Sequence, residues 1–138
     1  MLITDPTAAA MRAADVRHPG VLATGPTYDL GLLDASWRYD GLQPVSPPAP
    51  VRDRLNAAIY DKILRGDTAG TRPILDEAIE ALRSAGADAL VLACTDLSPL
   101  VTGAPLPMFD VTALHARAVA LASLRHPASE RRPAQAAS

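Results

Sequence analysis

Two stretches of the chain carry an apolar side chain at every third or fourth position, separated by polar ones. This spacing gathers the apolar side chains on one face of an α-helix, so it predicts two amphipathic helices. Gly66 and Gly86 follow the stretches and are predicted to end these helices, because glycine readily adopts the left-handed backbone that closes many of them. The apolar positions are Val51, Leu55, Ala58, Ile59 and Ile63 in the first helix, and Ile74, Leu75, Ala78, Ile79, Leu82 and Ala85 in the second.

Four short apolar runs, bounded by Gly, Pro, Ser or Asp, predict β-strands. The run at 88–93 is apolar throughout after its first residue, as expected for a strand with helices over both faces of its sheet. The predicted strands are residues 20–24, 42–45, 88–93 and 106–109.

Further helices are predicted at residues 4–14 and 27–39 and after Asp110, whose side chain is a favourable N-terminal cap. Helices therefore alternate with strands along the chain. This order predicts an α/β fold in which about four mainly parallel strands are flanked by helices.

Length and composition fit one ordinary domain of 138 residues with a formal net charge of −2. A chain of that charge has no basic field for nucleic acid or an anionic membrane, so neither is expected as a partner. The longest fully apolar run, 89–94, is far shorter than the roughly 20 residues that cross a bilayer. The single cysteine forms no internal disulfide or cysteine-based metal site, and no signal peptide is recognisable, so we expect a cytoplasmic protein. Residues 127–138 have the composition of a disordered tail.

Cys94 is the most reactive side chain near a predicted strand end. Ligands bind at the carboxyl ends of strands in open parallel sheets. Thr95, Asp96 or Ser98 is placed to cap a following helix, and a helix N-terminus lowers the pKa of a nearby thiol. The pattern is compatible with a thiolate base or nucleophile facing an anionic substrate, but the spacing alone favours a small apolar residue that ends a buried strand.

Four segments resemble the aspartate/glutamate racemase superfamily, and they occur in the order found there. VLACTDLSPLV resembles its strand ending in G-C-T-E, and GVLATGPTYDLGLLD resembles its G-L-L-A-T-x-G-T segment. IYDKILRGD resembles its I-Y-D/E…G helix end, and MFDVTALHARA resembles its D-T-T-x-x-H helix. The resemblance spans about residues 3–122 and implies one lobe of a two-lobed α/β fold.

This resemblance implies a PLP-independent amino-acid racemase or epimerase that moves a proton at the carbon next to a carboxylate, without cofactor or metal. Cys94 would be one of two acid/base residues. Thr95, Asp96 and Thr27 would bind the substrate, a small carboxylate or amino acid. Thr95 would donate to the carboxylate, and Asp96 would orient the thiol or receive the amino group.

The chain also departs from the superfamily pattern. The C/T-N-T segment that supplies the opposing base is absent, and Leu64 stands where some aspartate-specific relatives carry lysine. We therefore expect residues 1–126 to form only the second lobe of a truncated racemase, with residues 1–15 and 110–126 packing toward a first lobe. Activity would then require a dimer or a first-lobe partner. The alternatives are a cysteine-dependent decarboxylase of malonate-type acids and a non-catalytic remnant that binds a small carboxylate.

Overall fold

The computed structural model describes residues 1–125, so the disordered tail predicted at 127–138 lies outside the described residues. Three parallel strands form one sheet, in which they lie side by side in the order that they have in the sequence. The elements in chain order are α1 (Thr4–Ala13), β1 (Pro19–Leu22), α2 (Gly25–Asp29), α3 (Asp34–Tyr39), α4 (Ala49–Asp61), a 3₁₀ helix (Ile63–Arg65), α5 (Arg72–Ser84), β2 (Ala89–Leu92), β3 (Met108–Asp110) and α6 (Val111–Arg125).

The prediction of an α/β fold with a parallel sheet is confirmed, but the number of strands is three within residues 1–125, not four. The segment predicted as a strand at 42–45 makes only an isolated parallel bridge, between Val45 and Gly20. Val45 donates its N–H to Pro19 O and accepts from Val21 N, each at 2.8 Å. Three prolines between positions 44 and 48 lack the N–H that a longer ladder would need, so the pairing stops there.

Side chains on the two faces of the sheet build two separate cores, as the twofold alternation along a strand requires. Helices α4 and α5 cover one face, and α1 and α3 cover the other. The first core includes Leu22, Leu55, Ile59, Leu82, Leu90 and Leu92. The second includes Met11, Val21, Trp37, Ala89 and Val91.

Two predicted helices have different boundaries in the structure. The helix predicted at 27–39 is divided into α2 and α3, and Gly31 between them has a φ of +58° that a continuous helix cannot accommodate. Helix α4 ends at Asp61, and the 3₁₀ turn after it ends at Gly66, which has a φ of +79°. Gly66 therefore closes the segment as predicted, although the last turn before it is not α-helical.

Helix α6 packs against α1 and begins as predicted, because Asp110 Oδ1 accepts a hydrogen bond from the N–H of Ala113 at 3.0 Å. Much of α6 remains uncovered, and Val119, Leu121 and Leu124 are exposed. No helix within residues 1–125 has both the length and the apolar composition that crossing a membrane requires.

Candidate active site

Two turns lie side by side at the carboxyl edge of the sheet. One follows β1 and leads into α2, and the other follows β2 and contains Cys94. The two strands stay in register beyond their ends, since the N–H of Ala93 donates to Leu22 O at 2.9 Å. The parallel pairing of β1 with β2 thus brings together two motifs that are about 70 positions apart in the sequence.

The prediction that a helix follows Cys94 is wrong. Residues 94–100 form a series of turns, in which the N–H of Leu97 donates to Cys94 O at 3.1 Å. Pro99 offers no N–H to an α-helical ladder, and buried Leu97 fixes the turns to the core instead.

The thiol of Cys94 is half-buried and packs on the α4–α5 side of the sheet. Burial raises the pKa of this thiol above its ordinary value, and the carboxylate of Asp96 adds to the rise. The backbone N–H groups of Asp96 and Leu97 oppose the rise without cancelling it. The prediction that a helix N-terminus lowers the pKa of Cys94 is therefore wrong, because no helix starts there.

Asp96 and Thr95 flank the thiol in different ways. Asp96 Oδ2 lies 4.0 Å from Cys94 Sγ, the closest carboxylate contact that the thiol has among residues 1–125. The side chain of Thr95 is exposed and has no hydrogen-bond partner in the described part of the chain. The structure thus places Asp96 against the thiol, and Thr95 at the open side of the turn.

Thr27 lies in the first turn of α2, after the neighbouring turn, and its hydroxyl is 3.3 Å from the hydroxyl of Thr24. Thr24 precedes α2 and was not singled out from the sequence. Tyr28 braces this turn, because its hydroxyl donates to Val21 O at 2.7 Å and accepts from the N–H of Ala23 at 2.9 Å. Burial is the main reason why the pKa of Tyr28 is raised, so this hydroxyl stays protonated.

Ser98 and Asp110 connect the cysteine turn to the start of α6. The hydroxyl of Ser98 donates to Asp110 Oδ2 at 2.5 Å, while Asp110 Oδ1 caps the helix. Burial tends to raise the pKa of Asp110, but the hydrogen bonds from Ser98 and from the N–H groups of Ala113 and Thr112 outweigh it and hold the pKa low. Asp110 is therefore an ionised anchor for the turn that carries Cys94.

Helix α4 contributes two polar side chains that sequence reasoning missed. Asn56 Oδ1 accepts a hydrogen bond from the N–H of Gly25 at 2.7 Å, and the Arg52 guanidinium lies 5.5 Å from the ring centre of Tyr28. Arg52 and Asn56 are four residues apart, so they lie on the same face of α4, beside its apolar stripe. This spacing is the sequence signal that would have placed the two side chains together.

The four motifs also match a known family. A family model described as Asp/Glu/Hydantoin racemase matches residues 2–119. The chain belongs to the Asp/Glu/hydantoin racemase family. The resemblance stated from the sequence is confirmed, and most of the elements described above lie within the racemase match.

Solved structures of racemase relatives share the fold. An Asp/Glu racemase candidate from Yersinia pestis is 28% identical, with a TM-score of 0.83 over 88% of this chain and 55% of its own. An aspartate racemase homologue from Pyrococcus horikoshii is 24% identical, with a TM-score of 0.80 over 89% and 56%. An aspartate racemase from Picrophilus torridus is 23% identical, with a TM-score of 0.71 over 89% and 52%. No curated protein matches this racemase-family chain.

This chain thus corresponds to little more than half the length of the racemase structures that it matches. Two of the racemase motifs, those that follow β1 and β2, nevertheless lie side by side in it. Cys94 and Asp96 lie in the turn after β2, and Thr27 lies in the first turn of α2, which follows the neighbouring strand β1. His115, the histidine of the fourth motif, lies on α6 with Nδ1 buried and without a hydrogen-bond partner in residues 1–125.

Proposed function

We propose that this chain is one lobe of a PLP-independent amino-acid racemase or epimerase, with Cys94 as one of two acid/base residues. The observation that carries the proposal is the position of the thiol. Cys94 is half-exposed at the carboxyl edge of a parallel sheet, where this type of sheet binds its ligands, and lies in the segment whose sequence resembles the family's G-C-T-E motif.

In the proposed reaction, the Cys94 thiolate removes the proton from the substrate carbon next to the carboxylate. The C–H electron pair stays on that carbon as a carbanion conjugated with the carboxylate, and a second acid delivers a proton to the opposite face. For the opposite enantiomer Cys94 is the donor, so the thiol and thiolate are both used. A raised pKa makes the thiolate a stronger base and keeps the thiol the main form near neutral pH.

The neighbouring groups suit a zwitterionic substrate in this reaction. Thr95 and Thr27 have hydroxyls that would donate to a carboxylate. Asp96, whose Oδ2 lies 4.0 Å from Cys94 Sγ, would receive the substrate ammonium or orient the thiol. We propose these three as substrate-binding residues.

The second acid/base residue would come from a first lobe, in a longer form of the chain or in a partner. Two observations support this: the racemase structures are nearly twice as long as the matched segment, and α6 exposes Val119, Leu121 and Leu124. A covering lobe would bury these apolar side chains and close the substrate cleft. Alternatively, a second copy of this chain would cover the same surface of α6. A measurement of the native molecular mass distinguishes this dimer from a chain that carries a first lobe.

A second candidate function is the decarboxylation of a malonate-type acid. The raised pKa of Cys94 favours it, because this reaction needs only a protonated thiol. The C–CO₂⁻ bond breaks with release of CO₂, its electron pair stays on the carbon, and the thiol protonates that carbon. No opposing base is required.

The test uses the native protein as purified from the cells that produce it, so that any attached or associated lobe is retained. Amino acids are incubated in D₂O, and deuterium at the α-carbon and the enantiomer ratio are measured. We expect Cys94→Ala to lower both rates at least about 100-fold. Thr102→Ala, at an exposed position beyond the cysteine turns, is the control and should leave the rates unchanged.

Retained α-proton exchange in Cys94→Ala would contradict the assignment of this cysteine. Release of CO₂ from a substituted malonate without amino-acid exchange would favour the decarboxylase. If neither reaction is detected, and the native mass of the protein equals that of this chain, the result would favour a lobe that only binds carboxylates.

A further inference from the structure

The hydroxyls of Thr24 and Thr27 (the threonine pair) lie 3.3 Å apart and form one hydrogen bond with each other. Either hydroxyl can be the donor, and neither makes another hydrogen bond within residues 1–125. The two hydroxyls carry two protons, and the bond between them uses one. One hydroxyl proton therefore remains to donate to another molecule, whichever way the bond is directed.

The backbone N–H groups at the start of α2 do not occupy this pair. A threonine before a helix commonly accepts a hydrogen bond from the first helical N–H groups, but the side chain of Thr24 makes no such bond. The N–H of Gly25 donates instead to Asn56 Oδ1 at 2.7 Å. Pro26 has no N–H, and the N–H of Thr27 donates to the carbonyl of Thr24 at 3.1 Å. The Thr24 hydroxyl is thus left to the threonine pair.

Asn56 also fixes the backbone beside Thr24. The N–H groups on the two sides of Thr24 both donate to side chains. Ala23 donates to the Tyr28 hydroxyl at 2.9 Å, and Gly25 donates to Asn56. Asn56 lies on α4, whose neighbouring side chain Leu55 is fully buried in the core. The backbone that carries the threonine pair is therefore tied to a helix that the core holds in place.

The contact between Asn56 and Gly25 requires the absence of a side chain at position 25. A Cβ there would lie 3.1 Å from Asn56 Oδ1 and 3.3 Å from Asn56 Cγ. These distances are shorter than an ordinary van der Waals contact, so a methyl group would displace the amide. The two residues form a matched pair, although they are 31 positions apart in the sequence.

We propose that Asn56 is a positioning residue for the threonine pair, and that it acts through the backbone of Gly25 rather than by contact with the substrate. This inference rests on the proposed function, in which Thr27 binds the substrate carboxylate. Asn56 holds the backbone between the two threonines and keeps the N–H of Gly25 occupied. The threonine pair then retains one hydroxyl proton for the carboxylate.

The test measures how tightly the ¹⁵N-labelled 138-residue chain binds propionate, from the nuclear magnetic resonance shifts of the backbone N–H groups in residues 23–28. We expect Asn56→Leu to weaken propionate binding about threefold to tenfold, because one hydrogen bond no longer holds the backbone of the pair. Ala57→Leu is the matched control. It places the same side chain at the next, exposed position of α4, and should leave the affinity within about twofold of wild type.

A double variant separates positioning from a general effect on the fold. Thr27→Val removes one hydroxyl of the pair and should by itself weaken propionate binding about tenfold. If Asn56 acts through the pair, Asn56→Leu should weaken binding by less than about twofold in the Thr27→Val background, since residues that act as a unit do not have additive effects. A merely structural role of Asn56 would give losses that multiply.

Gly25→Ala perturbs the same hydrogen bond from its other side and leaves Asn56 in place. The new Cβ displaces the amide, so propionate binding should weaken about twofold to fivefold. Circular dichroism establishes that each variant is folded. If Asn56→Leu does not fold, Gly25→Ala replaces it in the comparison.

Backbone signals of residues 23–28 that do not move with propionate in the wild type overturn the proposal. So does an unchanged propionate affinity in the folded Asn56→Leu variant, or losses that multiply in the double variant. These results are separable from the proposed function. Exchange that depends on Cys94, with an affinity that Asn56→Leu leaves unchanged, retains the racemase and removes the role of Asn56. Propionate binding that depends on Asn56, without such exchange, does the reverse.

Discussion

Replacing Ser98 with alanine tests whether Asp110 holds the turn that carries Cys94. The lost hydrogen bond is 2.5 Å long and ends on an ionised carboxylate. Hydrogen bonds to charged groups contribute roughly 1.5–3 kcal/mol. Because this pair is only partly buried, we expect Ser98→Ala to lower the free energy of unfolding by about 1–2 kcal/mol, and Tm by roughly 4–8 °C.

The effect should depend on pH in a defined direction. Asp110 has a lowered pKa in the folded protein, so its ionised form stabilises the fold above the unfolded pKa of about 3.9 and ceases to do so as pH falls through the folded value. The difference between Ser98→Ala and wild type should therefore be full at pH 7 and shrink below about pH 4.

The assay is urea unfolding monitored by circular dichroism, carried out at pH 7 and again below about pH 4. Ser84→Ala is the control, because the Ser84 hydroxyl lies 3.2 Å from an exposed carboxylate oxygen of Glu80, and should cost at most about 0.5 kcal/mol. Ser98→Ala should also speed the alkylation of Cys94, since a looser turn exposes the thiol. Equal losses in the two serine variants, or a loss that persists unchanged at low pH, would refute this reasoning.

Three other substitutions test the electrostatics and packing around the site. Asp96→Asn removes a negative charge, so the pKa of Cys94 should fall and its alkylation by iodoacetamide at pH 8 should quicken about two- to fivefold; an unchanged rate would contradict the contact. Tyr28→Phe leaves a backbone donor and acceptor without their partner, and should cost about 1–3 kcal/mol in urea unfolding, whereas a neutral effect would show that the turn holds without it. Gly20→Ala brings a new Cβ to 2.9 Å from the Ala87 Cβ, so thermal unfolding should reveal about 1–3 kcal/mol of destabilisation, and wild-type stability would argue against this packing.

The parts of the fold predicted well from the sequence are those with a long, regular pattern. The apolar stripe of α5 recurs over more than three turns, and the run that forms β2 is apolar throughout, so each pattern has one simple interpretation. The parallel pairing of β1 with β2 agrees with the prediction, because helices connect these two strands along the chain. The end of β2 therefore located Cys94 correctly.

The errors have physical causes that short sequence windows do not contain. Whether residues 42–45 form a strand depends on how many N–H groups reach β1, and prolines leave few of them. The turns after Cys94 follow from the burial of Leu97, which outweighs the capping preference of the residues around it. The pKa of Cys94 then rises because burial acts without a helix dipole to oppose it.

The contact between Asn56 and Gly25 was missed for a different reason. It joins α4 to the start of α2, and no motif of the sequence includes Asn56. Only tertiary structure shows that Asn56 meets Gly25 and that the Nε of Arg52 is buried without a partner in residues 1–125. Burial of a charged group depends on the neighbours that packing supplies, so spacing alone does not reveal it.

The central claim is that Cys94 faces the carbon next to the carboxylate of a bound acid. Alkylation by 2-bromopropionate tests this directly in the 138-residue chain, because the thiolate sulfur bonds to that carbon as bromide leaves. Neutral 2-bromopropionamide is the comparison, and peptide mass spectrometry identifies Cys94 as the modified residue.

We expect the acid to react with saturation kinetics and to react faster than the amide, each rate being taken relative to a free cysteine peptide. We also expect propionate to protect the thiol. Faster reaction of the amide, a rate strictly proportional to reagent concentration and no protection by propionate would together contradict it. Cys94 would then be a strand-end residue without a substrate carbon before it.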